Sequence, residues 1–269
     1  MTDRDGIVTS TMTGQADFPT KGEILRGRLL RWVAVWAWLA LTATSRLPAE
    51  TPPSLPSAEP LAAARRELAA APTNLLHSVA LARLTFEATK SATNSGAKAK
   101  LAEEGIATAR AGLRLHPQSA GLEYYLGLNL GQLASTRGMS ALKLVREMET
   151  HLLTARALEP GIGDAGPDRS LGYLYLNAPG WPLSIGNNDK ARRHFEQALS
   201  RAPQRPEHPL AFAEACLRWK KRDEARRHLA AAEATLPKAK ELYSGPAWAA
   251  DWADWNSRLA ILREKLAAK

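Results

Sequence analysis

The chain has 269 residues, 45% of them hydrophobic and 23% charged, a composition that excludes a wholly disordered chain. Its formal net charge of +9 would suit nucleic acid or an anionic membrane, but the densest basic group, residues 220–227, is interrupted by Asp223 and Glu224. We therefore interpret this group as an exposed helix face and predict no nucleic-acid partner.

Residues 1–49 form the first predicted element, a signal peptide or an N-terminal anchor. Basic residues precede the uncharged run 32–43, and a positive flank before a short apolar core is typical of a secretory signal. A full membrane span needs about 20 apolar residues, so cleavage is favoured, while an inner-membrane anchor at residues 32–44 remains the alternative. Either interpretation predicts an exported protein, periplasmic or secreted, with membrane contact only if this segment is uncleaved.

Residues 50–60 carry four prolines and are predicted to be an extended linker. The rest of the chain consists of Ala-rich amphipathic runs, and we find no run of alternating β-branched residues. The runs are predicted to end at Pro72, Pro117, Pro160, Pro203 and Pro237. The predicted fold class is all-α.

Two stretches of the chain carry one pattern at an offset of 34 residues. The first is Ala191, Phe195, Ala198 and Pro203, and the second is Ala225, Leu229, Ala232 and Pro237. A period of this length predicts a stack of helical hairpins, each burying its apolar face against its neighbours. Small residues allow helix axes to approach to about 8–10 Å, and Phe195 or Leu229 then fills the space between layers.

These residues resemble the tetratricopeptide repeat (TPR) family, in its exported bacterial type. Leu171-Gly172 with Tyr175 is similar to the signature of the first helix in that repeat, and Leu126-Gly127 marks an earlier one. The resemblance covers residues 61–239. It implies a right-handed helical solenoid of about four helix pairs whose first helices line a concave surface that binds protein.

The turn between the paired helices of one unit is unusually long. Tyr175 and Ala191 are sixteen positions apart where the final unit needs nine, and the insert places Trp181 between prolines and glycine. We predict either a functional loop or an aromatic side chain that folds back over an apolar edge. The insert and the export signal are also similar, more weakly, to the periplasmic T components of TRAP transporters, which associate with a substrate-binding protein.

Residues 240–269 are predicted to form a capping helix. Six large apolar residues fall on one helical stripe: Trp248, Trp252, Trp255, Leu259, Leu262 and Leu266. End repeats need a solubilising cover, and a partner-binding or self-association face is the alternative.

The resemblance also implies which residues meet a partner. Inward-facing positions of the first helices are Tyr124, Arg169, Tyr173, Asn177, Glu214 and Arg218, and Trp181 joins them from the inserted loop. This mixture of polar and aromatic groups suits a peptide segment, and ordinary solvated surface is the alternative. His194 and His228 would stack on the opposite, convex surface, where we predict solvation rather than a metal site or a pH sensor.

The sequence contains none of the usual catalytic, phosphate-binding or metal-binding motifs. Its lone cysteine, Cys216, excludes an intramolecular disulfide. We predict a non-catalytic, cofactor-free scaffold for a protein or peptide partner in the cell envelope, with oligomerisation possible. The alternatives are a TRAP-associated accessory protein and a helical envelope enzyme with acid residues in its inserted loops.

Overall fold

The computed structural model describes residues 58–267. The predicted signal or anchor at 1–49, and most of the linker at 50–60, lie outside the described residues. The described part forms α1 (Ala58–Ala70), α2 (Leu75–Lys90), α3 (Ser95–Leu115), α4 (Ala120–Ala134), α5 (Ala141–Leu158), α6 (Ile162–Asn177), α7 (Asn188–Arg201), α8 (Glu207–Arg218), α9 (Arg222–Leu242) and α10 (Ala249–Ala267). Within this range there is no β-strand, and Gly180 and Gly186 form an isolated bridge.

Four helical hairpins make up most of the fold: α2 with α3, α4 with α5, α6 with α7, and α8 with α9. Their first helices also contact one another in order, from α2 to α4, α6 and α8, and so form a continuous layer. Helix α1 packs on α2, while α10 packs on α8 and α9 at the other end. The predicted all-α solenoid of about four helix pairs with a C-terminal capping helix is confirmed.

The small residues of the repeat pattern lie where the helices approach most closely. Ala191 and Ala198 are fully buried, and the exposed fraction of Phe195 is 1%. A Cβ atom added to Gly172 would lie 2.6 Å from the Phe195 ring, closer than real side chains allow. Gly172 is therefore required for the contact between α6 and α7 that the sequence pattern predicts.

Polar side chains begin several of these helices. Asn74, Asn94, Ser119 and Asn187 each accept hydrogen bonds from backbone N–H groups in the first turn of the helix that follows. These bonds satisfy donors that have no partner inside the helix.

One predicted helix end is wrong. Pro237 does not end its helix, because α9 continues to Leu242 with the proline inside it. The proline removes one backbone hydrogen bond, and Ala239 and Tyr243, which follow it, are buried.

The start of α6 contains a left-handed turn that the sequence did not reveal. Gly163, Asp164 and Ala165 have φ values of 57°, 52° and 57°. A left-handed conformation costs a non-glycine residue about 1–2 kcal/mol, so contacts from elsewhere must hold Asp164 and Ala165 in place. His208 Nε2 donates to the Asp164 carbonyl at 2.7 Å, and Arg205 Nη1 donates to the Asp164 carboxylate at 3.0 Å.

The capping helix buries most of its predicted stripe. Trp255, Leu259, Leu262 and Leu266 are buried, whereas Trp252 is half-buried. Trp248 is also half-buried, but it lies in a short 3₁₀ helix, Pro246–Trp248, before α10 begins. Between residues 58 and 267, no helix is both long enough and apolar enough to cross a bilayer.

Candidate partner-binding face on the first helices

The predicted partner-binding residues, other than Trp181, all lie on three consecutive first helices. Tyr124 is on α4; Arg169, Tyr173 and Asn177 are on α6; Glu214 and Arg218 are on α8. A four-residue spacing puts the α6 and α8 residues on one side of their helices. We call the surface formed by these six residues, with Glu207 and Arg258, the first-helix face.

Tyr173 and Glu214 meet Arg258 at the centre of this face. Arg258 Nη2 donates to the Tyr173 hydroxyl at 2.6 Å, and Arg258 Nε donates to Glu214 Oε1 at 2.8 Å. The Tyr173 hydroxyl donates in turn to Glu214 Oε2 at 3.0 Å. Burial, reinforced by the Glu214 charge, raises the pKa of Tyr173 well above its usual range, so the phenol stays protonated.

Arg258 comes from the capping helix and was missed by sequence reasoning. Burial opposes its charge, but Glu214 more than compensates, and the pKa of Arg258 is raised well above its usual value. The capping helix therefore contributes a charged group to the first-helix face as well as covering the last hairpin.

Arg169 joins Tyr124 to Glu207, a second residue that sequence reasoning missed. Arg169 Nε lies 3.2 Å from Glu207 Oε1, and Arg169 Nη2 donates to the Tyr124 hydroxyl at 3.4 Å. Arg169 Nη1 is buried and has no hydrogen-bond partner within residues 58–267. Arg169 therefore links α4, α6 and α8 through its contacts with Tyr124 and Glu207.

Three arginines, from α6, from α10 and from the loop before α8, stabilise the negative charge of the Glu207 carboxylate. Burial favours the neutral acid, but Arg169, Arg258 and Arg205 outweigh it and lower the pKa of Glu207 to about 2.

The neighbouring His208 is 1% exposed, and burial, together with the Arg169 charge, lowers the pKa of His208 to about 3. The imidazole is therefore neutral at pH 7.

Asn177 and Arg218 form a separate pair where α6 and α8 end. Arg218 Nη1 donates to Asn177 Oδ1, and the Arg218 side chain is exposed. Of the eight residues that form the first-helix face, Arg218 is the one with an exposed side chain. This pair is therefore the most accessible part of the face.

Trp181 projects from the loop 178–187 instead of covering an apolar edge. Its exposed fraction is 90%. The loop beneath it is tightly bonded, since the Gly186 N–H donates to the Pro179 carbonyl at 2.7 Å and the Asn187 N–H to the Tyr175 carbonyl at 2.9 Å. A Cβ atom on Gly186 would lie 1.9 Å from the Ala178 carbonyl oxygen, so only glycine fits there. The alternative in which Trp181 folds back is wrong.

The two histidines of the repeated pattern are half-buried and in contact with neighbouring side chains, whereas full solvation was predicted. His194 Nδ1 lies 2.8 Å from Oδ1 of the fully buried Asp168, and Arg156 Nε donates to the same oxygen at 2.7 Å. His228 stacks on Phe212 with ring centres 3.9 Å apart. Across residues 58–267, no three His, Cys, Asp or Glu side chains are grouped so that they could hold a metal ion.

Stacked hairpins with a polar first-helix face define a helical-repeat scaffold. Comparison with known families gives this class a name, because residues 183–249 match the family model of the tetratricopeptide repeat. Over these residues the chain is similar to TPR repeats, and its described part has an all-α, TPR-like fold.

A solved structure shows the same fold. The crystal structure of TTC0263, a thermophilic TPR protein in Thermus thermophilus, superposes with a TM-score of 0.57 at 20% identity, covering 75% of this chain and 88% of that one. A crystal structure of MamA gives a TM-score of 0.48 at 20% identity, covering 67% of this chain and 89% of that one. No curated protein sequence matches the chain.

Proposed function

We propose that the protein is a non-catalytic scaffold that binds a protein or peptide partner on the first-helix face. The observation that supports this most directly is the convergence of side chains from α4, α6, α8 and α10 on one surface, around Tyr173, Glu214 and Arg258. Internal ion pairs hold these side chains in fixed positions, and such preorganisation lowers the entropic cost of binding.

The chemistry of the face favours a peptide with both polar and apolar side chains. Arg169 and Arg258 are balanced by Glu207 and Glu214, so the centre of the face is charge-neutral. The exposed Arg218 offers a cationic side chain, while the half-buried Tyr173 ring offers an apolar surface. Residues 1–49 support a location in the cell envelope, which belongs to the same proposal.

The test is to select peptides on the purified protein from a displayed random library and to measure their affinity by calorimetry. Arg218→Ala should weaken binding at least about tenfold, because it removes an exposed donor from the face. Arg227→Ala is the matched control, since the Arg227 side chain is also exposed but lies on the second helix of its hairpin, α9. Equal affinities for the two variants, or the selection of no peptide, would rule the proposal out.

A further inference from the structure

One edge of the stack combines an exposed apolar loop with a basic turn. In each hairpin the turn leads from the first helix to the second, and stacking places these turns along one edge, which we call the turn edge. Two contacts show this alignment. Arg218 bonds Asn177 across the ends of α8 and α6, and Arg192 Nη2 donates to Glu224 at 2.8 Å across the starts of α7 and α9.

The apolar part of the turn edge is the loop 178–187. Trp181 is 90% exposed and Leu183 is 50% exposed, although the loop that carries them is tightly bonded. Residues 178–188 contain no charged side chain. Exposed apolar groups on an ordered loop mark a contact surface, and tryptophan is the side chain that best suits the boundary between water and lipid.

The basic part is the adjacent turn after α8. Residues 218–222 include four cationic side chains and no acidic one, and Lys220 and Lys221 are exposed. Lys190, 45% exposed, adds a charge from the first turn of α7, where it lies 3.9 Å from Glu149. The nearby carboxylates are partly neutralised within the chain, since Glu224 pairs with Arg192 and with Lys221, and Asp223 pairs with Arg226, while Asp189 is exposed.

We propose that the turn edge docks on a bilayer surface that contains anionic lipid. Trp181 and Leu183 enter the interfacial region, and the exposed Lys220 and Lys221 face the lipid headgroups. Apolar insertion and electrostatic attraction together give peripheral membrane binding, whereas neither alone is strong. An acidic protein would satisfy the charges but would leave the neutral, apolar loop without a matching surface.

The test places an environment-sensitive nitrobenzoxadiazole label on the loop of the full chain. Cys216 is buried, so Leu183→Cys provides the accessible thiol. With vesicles of equimolar phosphatidylcholine and phosphatidylglycerol, the label at 183 should move to shorter wavelength and brighten several-fold, and with phosphatidylcholine alone it should not. A label at Leu76→Cys, at a site on α2 that is 75% exposed, is the control and should stay unchanged. The comparison of two positions holds even if residues 1–49 attach the protein to the vesicle.

Charge reversal separates the electrostatic contribution. Lys220→Glu with Lys221→Glu should abolish the signal at 183, and Trp181→Ser should reduce it several-fold. Lys238→Glu with Lys240→Glu makes the same charge change at the far end of α9, where both lysines are exposed, and should leave the signal intact. The proposal would be overturned if the label gave the same signal at residue 76 as at residue 183, or if neutral vesicles gave the same signal as anionic ones. It would also be overturned if the two lysine pairs reduced the signal equally.

Discussion

At the scale of single residues, the stack depends on positions where no side chain larger than hydrogen fits. Gly172 faces Phe195, and Gly127 faces Leu152 at 2.9 Å from the position of an added Cβ. Both glycines lie on a first helix that packs on the second helix of the same hairpin. The Leu-Gly pairs at 126–127 and 171–172 therefore have the same steric explanation. In each hairpin the glycine leaves room for a large side chain of the second helix.

Replacing Gly172 by alanine should destabilise the protein by about 1–3 kcal/mol, because the new methyl group must displace the Phe195 ring. Gly161→Ala is the matched control, since a Cβ there meets no atom within 4 Å. The free energy of unfolding in urea measures both changes. Equal values for the two variants would contradict the packing described for α6 and α7.

His208 should make the protein less stable in mild acid. The unfolded chain protonates this histidine near pH 6.5, whereas the folded pKa is about 3, so between these values the unfolded state holds the extra proton. Stability should therefore fall as the pH falls through this window, by about 1.4 kcal/mol per pH unit from this one group. In His208→Gln the urea unfolding free energy should change less between pH 7 and pH 5 than in the wild type. Identical changes would show that His208 is not buried in its neutral form.

At the scale of elements, α10 has two roles. Its buried stripe covers α8 and α9, and Arg258 on another side bonds to Tyr173 and Glu214. At the end of the stack, α10 packs beside α8 as each first helix packs beside its neighbour. The capping helix is therefore joined to the first-helix face by a charge network as well as by apolar contact.

A double-mutant cycle on Arg258 and Glu214 should give a coupling energy of about 2 kcal/mol, because both side chains are largely buried. Arg263, on the same helix as Arg258, forms a matched pair with Glu233 of α9, with exposed fractions of 58% and 39%. Their coupling should be about 0.5 kcal/mol, since water screens exposed ions. Thermal or urea unfolding of the four variants in each cycle supplies the numbers, and equal coupling in both cycles would refute the burial argument.

Local patterns in the sequence predicted the helices and their pairing. The small residues around Phe195 and the cap at Asn187 act within one hairpin, so their spacing reveals their role. Glu207 and Arg258 escaped prediction because their partners lie far away in the chain, and Arg258 reaches Tyr173 across 85 positions. The left-handed turn escaped prediction for the same reason, since Arg205 in the loop before α8 and His208 on α8 hold it.

At the scale of the whole molecule, each hairpin contacts mainly its neighbours, so the ends of the stack determine how well it stays folded. Tyr243 lies against Trp248 and Trp255, with ring centres 4.8 and 5.8 Å apart, and Arg205 packs on the same rings at 4.9–5.2 Å. These contacts attach the final segment to the loop before α8.

Ending the chain after Leu242 should lower the urea midpoint and cause association that depends on concentration. The truncation exposes the surfaces of α8 and α9 that α10 covers, and exposed apolar surface promotes self-association. Trp181→Ala, which also removes a tryptophan, is the control and should shift the unfolding free energy by at most about 0.5 kcal/mol. Circular dichroism and sedimentation velocity follow the two effects, and an unchanged midpoint in the truncated chain would exclude the capping role.

The left-handed turn at residues 163–165 also bears on the order of events on the ribosome. A nascent polypeptide that has emerged only as far as residue 200 lacks both Arg205 and His208, whose bonds to Asp164 stabilise the turn. Translation must therefore deliver the beginning of α8 before the entrance to α6 acquires its final geometry. The left-handed turn at the start of the third hairpin therefore depends on a segment that is synthesised about 40 residues later.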